Sequence, residues 1–135
     1  MTDAATLKVA LGVFNESNAK LCDALEEAGV RCRPFTADVF DAEPLDFARW
    51  KYVGAVTNVN AERVVHAVQQ GYVPIVSSVG QSAETGQRLN INADIAAREL
   101  SLTLQVKQKL MFFFSDIKKI KSIFFTFFLF LSLSF

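Results

Sequence analysis

The sequence predicts an α/β fold in which a mainly parallel sheet is covered by helices. Three observations carry this. Apolar residues recur at intervals of three and four from Asp3 to Ala28, the spacing of one helix face. A short β-branched run, Tyr72 to Val76 in "YVPIVSSVG", reads as a strand buried on both faces. Extended and helical segments then alternate in the order strand, helix, strand, loop, helix, which is the order of parallel α/β sheets.

Taken in order, Leu7, Ala10, Leu11, Phe14, Leu21, Leu25 and Ala28 line the first helix, and Asn18 interrupts their row with a polar group. Asp3 stands at the cap position, and Gly29 stands where a left-handed residue ends a helix. Val30 to Thr36 alternates charged and apolar residues and is expected to be a strand. Asp38 to Trp50 reads as irregular, and "KYVGAVT", Lys51 to Thr57, as the next strand. Asn60 to Gln70 is expected to be helical, capped by Asn58 or Asn60 and stopped by Gly71. "QSAETGQ", Gln81 to Gln87, has the composition of a turn, and "RLNINADIAAREL" follows it.

Composition divides the chain of 135 residues near Leu100. The part before it carries nine Lys and Arg against thirteen Asp and Glu, and the part after it five against one. Nine of the 13 phenylalanines fall in that last part, which has neither Gly nor Pro. Residues 1–100 are therefore read as one unit and residues 101–135 as a Phe/Lys-rich tail of another kind. Two cysteines, Cys22 and Cys32, make no disulfide framework and no metal spacing, which suits a reducing compartment. No secretory or transit-type leader is legible at the N-terminus. His66 lies among Val64, Val65 and Val68 and is expected to be structural or solvent-facing. Basic residues neither cluster nor interleave with aromatics, so nucleic-acid binding has no support.

Asn90, Asn92 and Asp94 alternate at the mouth of the last helix. A helix N-terminus presents unpaired N–H groups and partial positive charge, which attract carboxylates and phosphates. Asn92 is the natural cap, and capping alone is one sufficient explanation of the motif. Asn90, two residues earlier in an extended segment, is expected to point to the same side. Two neutral amides offer donors and acceptors together, which suits a ligand with an amide and a carboxylate. Asp94 is negative, so its use is to orient cations.

The segments "AGVRCRPFT", "KYVGAVTNVN", "GYVPIVSSVG" and "GQRLNINADIAA", in that order, resemble the middle of acetylglutamate kinase, of the amino acid kinase family. "RCRPFTADVF" is most similar to the eukaryotic, fungal-type form. The resemblance covers roughly Thr6 to Leu100 and implies a three-layer α/β sandwich, incomplete here. It also implies arginine biosynthesis in the mitochondrial matrix, with ATP and Mg²⁺ used to phosphorylate the side-chain carboxylate of N-acetyl-L-glutamate. It further implies that Asn90 contacts the acetylated amino acid, Asn92 sits at the site's edge and Asp94 positions catalytic lysines. By the same resemblance Ser78 and Gly80, with Ser77, line the substrate site, and complete members form homo-oligomers.

The family's Lys-Gly-Gly segment and second glycine-rich loop have no counterpart before Thr6, and the strands that hold nucleotide have none after Leu100. The chain is therefore expected to be a central, inactive fragment ending in a foreign tail, such as translated non-coding sequence. A short membrane anchor is the other reading of that tail: Ser122 to Phe135 is uncharged and follows Lys118, Lys119 and Lys121, but it falls short of the about 20 residues of a span. The alternative to a kinase is a non-catalytic module, of the acetylglutamate synthase type or a ligand-binding remnant. The intact NxNAD pattern favours the kinase.

Overall fold

A computed structural model describes residues 1–104. The first helix, α1 (Ala4–Glu27), is capped as its sequence requires: Asp3 Oδ1 accepts from the Thr6 N–H at 2.8 Å. At its other end Gly29 takes φ +79°, and its N–H and that of Val30 return to Glu26 and Leu25 at 2.9 and 2.8 Å. A left-handed glycine with this pair of bonds satisfies carbonyls that the helix would otherwise leave open.

Strand β1 (Cys32–Phe35) follows, then β2 (Phe40–Pro44) and the single turn α2 (Phe47–Trp50). The last two fall where the sequence reads as irregular. Phe40 and Ala42 do alternate with Asp41 and Glu43, but acidic residues and Pro44 are poor strand formers. Pairing with neighbours on both sides creates this strand rather than local preference.

Strand β3 (Val53–Val59) leads into α3 (Ala61–Gln69), which ends on Gly71 as expected. Asn60 occupies the cap position without capping through its side chain. Its amide and that of Asn58 instead donate to the Asp41 carboxylate, at 3.1 and 2.8 Å. Strands β4 (Val73–Val76), β5 (Val79–Gln81) and β6 (Arg88–Ile91) and helix α4 (Ala93–Thr103) complete the described chain.

These strands form two sheets. β1 and β4 make a parallel pair, registered Cys32 to Val73 and Phe35 to Val76. The other four close into a small barrel in the order β2, β3, β6, β5, with β2–β5 and β3–β6 parallel and β2–β3 and β5–β6 antiparallel. Three of the five ladders are thus parallel, and the α/β class stands. In β4 only Ile75 is fully buried, rather than the whole strand on both faces, because β4 pairs on one edge alone. Cys22, Leu25, Cys32 and Ile75 form a core between α1 and that pair. A larger core joins Phe35, Val39, Phe40 and Ala42 to Val64, Ala67, Leu89, Ile91 and Ala96.

The barrel interior has almost no room. A Cβ on Gly80 would lie 2.5 Å from Ala42 Cβ, and one on Gly54 would lie 2.9 Å from Leu89 Cβ. Gly12, in the middle of α1, faces open space instead. Gly80→Ala is therefore expected to lose about 3 kcal/mol to overpacking, and Gly12→Ala to gain about 0.8 kcal/mol from helix propensity. Urea unfolding of the two variants checks both signs.

Burial pushes the Cys32 thiol up from 9.0 to about 12, aided by its contacts with Cys22 and then Glu26. The unfolded chain therefore loses this proton first, so the thiol's contribution to stability is complete below pH 9 and falls away as pH rises toward 12. The urea midpoint is expected to drop between pH 8 and 10.5, with a shallower drop in Cys32→Ala. At pH 8 both buried cysteines are expected to react with a disulfide reagent only after denaturant is added.

Candidate functional site

Strand β6 sorts its residues by alternation. Leu89 and Ile91 are buried in the barrel, while Asn90 between them is half-buried on the opposite face. The backbone holds Asn90 firmly: its N–H donates to Tyr52 O at 2.8 Å, and it stands opposite Val53 and Val79 in the two neighbouring strands. Its side chain donates from Nδ2 to Thr2 Oγ1 at 3.4 Å. That leaves the Asn90 Oδ1 and one N–H for another partner.

One residue past the strand, Asn92 caps α4, its side chain accepting from the Asp94 and Ile95 N–H groups at 2.9 and 3.1 Å. Since this cap consumes two of the first-turn donors, the helix mouth has less capacity for an anion than a bare N-terminus. Asp94 is exposed in the first turn. Among the described residues the ion pairs are Lys20–Glu16, Arg63–Asp38 and Arg98–Glu99, and Asp94 belongs to none of them.

Ser78 and Gly80 come to the same corner from the neighbouring strand. Ser78 O accepts the Ile91 N–H at 3.2 Å, and Gly80 is paired with Leu89. Gly80 is buried, and the direction of its missing side chain is filled by Ala42 and Ile91. Packing therefore suffices to require glycine there, and any ligand would meet its backbone only.

Sequence reading passed over two residues that the fold brings here. Thr2 is buried beneath Asn90, and Asn18, from the middle of α1, donates to Ser77 Oγ at 2.9 Å. For Asn18 the signal was the polar interruption of an apolar helix face. Thr2, ahead of the first helix, gave none.

The corner is open. A cleft of about 700 Å³ lies elsewhere, between Asp38, Asp41, Asn60, Arg63 and Gln81, and a smaller one of about 390 Å³ runs along α3 to Leu104. None of the five candidate residues lines either cleft. His66 is exposed on α3, beside Gln70. Among the described residues no three His, Cys, Asp or Glu side chains come together.

Asn90 and Asn92 thus stand where a strand of an α/β fold leads into a capped helix. The chain belongs to the amino acid kinase family, which its residues 1–122 match. It is 50% identical over 105 residues to the Schizosaccharomyces pombe protein arg11, mitochondrial, covering 78% of this chain and 12% of that protein. It is 39% identical over 105 residues to an acetylglutamate kinase of Xanthomonas campestris pv. campestris, covering 78% of this chain and 24% of the enzyme. The crystal structure of smu.665 from Streptococcus mutans UA159 superimposes with a TM-score of 0.58 at 35% identity, covering 62% of this chain and 35% of that one. The chain thus spans about an eighth of the length of the first of these curated relatives and about a quarter of the second.

The cap carries a stability test. Asn92→Ala is expected to cost about 1 kcal/mol and Asn92→Asp much less, because only the alanine removes the acceptor. Thermal or urea unfolding of the pair checks this.

Proposed function

We propose that these residues form the substrate-side wall of an acetylglutamate kinase, which uses ATP to phosphorylate the side-chain carboxylate of N-acetyl-L-glutamate in arginine biosynthesis. In this reading Asn90 faces the acetamide, Asn92 holds the helix mouth at the edge of the site, and Asp94 orients lysines. Ser78 and Gly80 complete the wall through the strand beside them. The observation that carries the reading is the placement of Asn90: rigid backbone, half-buried, with one amide acceptor and one donor left over. An acetamide presents the complementary pair. The naming of the fungal relatives as mitochondrial proteins supports a matrix location.

Phosphoryl transfer between a carboxylate and a triphosphate needs several negative charges neutralised at once. The lysines that the family resemblance calls for are not among residues 1–104 in any contact with Asp94. In this reading residues 1–104 contact the acetylated amino acid, and cations outside them neutralise the transferring phosphoryl group. The same segment supplies the substrate wall wherever the rest of a kinase is joined to it.

The test is to incubate the purified chain with ATP, Mg²⁺ and N-acetyl-L-glutamate, trap acyl phosphate with hydroxylamine, and measure binding by calorimetry. Binding without hydroxamate is expected, and Asn90→Ala should weaken it about tenfold, the worth of one or two hydrogen bonds. Robust turnover would refute the need for further lysines. Failure to bind would refute the assignment of the wall.

A further inference from the structure

Ser77 is fixed from two directions at the carboxyl end of β4. Its N–H donates to Phe35 O at 2.9 Å, extending the β1–β4 pair by one bond, and its Oγ accepts from Asn18 Nδ2 at 2.9 Å. The residue is buried, at 7% exposure. An oxygen that accepts still has a proton to give, and among the described residues no hydrogen bond uses the Ser77 hydroxyl proton. Ser78, the next residue, is bonded to Ile91 on the strand that carries Asn90.

We infer that Asn18 is a positioning residue for the N-acetyl-L-glutamate site: by donating to Ser77 Oγ it turns the Ser77 hydroxyl proton outward, as a donor to a carboxylate or carbonyl oxygen of the ligand. This rests on the substrate wall proposed above. The polarity of the bond is the point. Were the amide oxygen to accept from Ser77, the proton would be spent inside the protein. With the amide N–H donating, the lone pair is spent inside and the proton is kept for the ligand. The bond also joins residues 59 positions apart, so α1 contributes to the site without touching the ligand.

The inference separates from simple packing through a double-mutant cycle on binding. N-acetyl-L-glutamate is titrated into the full chain carrying Asn18→Ala, Ser77→Ala or both, and melting is recorded for each. If Asn18 acts through Ser77, each single change weakens binding about fivefold and the double variant is no weaker than either single one, since the two effects are not independent. Asn18→Asp keeps the size of the side chain while reversing the polarity, and should weaken binding at least as much. It serves as the reading should the alanine variant fail to fold.

Unchanged affinity in Asn18→Asp or Asn18→Ala, or losses that multiply in the double variant, would overturn the inference while leaving the substrate wall intact. Absence of binding by the unsubstituted chain would overturn both.

Discussion

The methyl group of Ala42 sets the geometry of this domain. It is fully buried; a Cβ on Gly80 would lie 2.5 Å from it, and one on Gly54 would lie 3.3 Å from it and 2.9 Å from Leu89 Cβ. Four strands close into a barrel only because the side chains at their crossing are this small. Larger barrels fill their interiors with layers of branched side chains, whereas this one holds two glycines, an alanine and the wedge of Leu89 and Ile91. The close approach keeps β5 beside β6 and β6 beside β3, and those two contacts bring Ser78, Asn90 and Asn92 to one corner.

From that constraint the polar face follows by alternation. Leu89 and Ile91 must point inward to fill what the glycines leave, so Asn90 must point out. The chain then leaves the sheet, and Asn92 closes the next helix with its own carbonyl rather than offering it to a ligand. Of the three polar residues at the helix mouth, Asn92 is thus largely spent on structure, while Asn90 keeps its amide oxygen and one N–H beyond its bond to Thr2. Asn90 is held rigidly and Asp94 is exposed on the first turn.

Much of this was legible in the sequence, and the exceptions share a cause. The long helix, its Asp3 cap and its Gly29 stop, α3 with its Gly71 stop, and the Asn92 cap are all local features, decided within a turn or two of chain. Strand β2 was not legible: "FDAEP" has weak strand preference, and it becomes a strand only because β3 and β5 are on either side of it. Asn60 sits at the cap position but its amide goes to Asp41, nineteen residues away, a competition that no local rule weighs. The candidate site shows the same division. The NxNAD run could be read directly, but the Asn18–Ser77 bond spans 59 residues and Thr2 reaches Asn90 across 88. Of the tail, the membrane-anchor reading of Ser122 to Phe135 lies outside the described residues. Among the residues described, no helix is long and apolar enough to cross a membrane.

Charge limits what this corner could hold by itself under the proposed function. In the proposed function N-acetyl-L-glutamate would bring two carboxylates toward Asp94, which belongs to no ion pair among the described residues. In bulk water two like charges about 4 Å apart repel by about 1 kcal/mol, and at the effective dielectric of a protein surface by about 4 kcal/mol. A neutral hydrogen bond returns about 1 kcal/mol net, so the donors of Asn90 and Ser77 offset the repulsion only while water remains in the site. Drying the corner without cations would expel the ligand. In that reading the lysines that Asp94 would orient are also what would let the site exclude water.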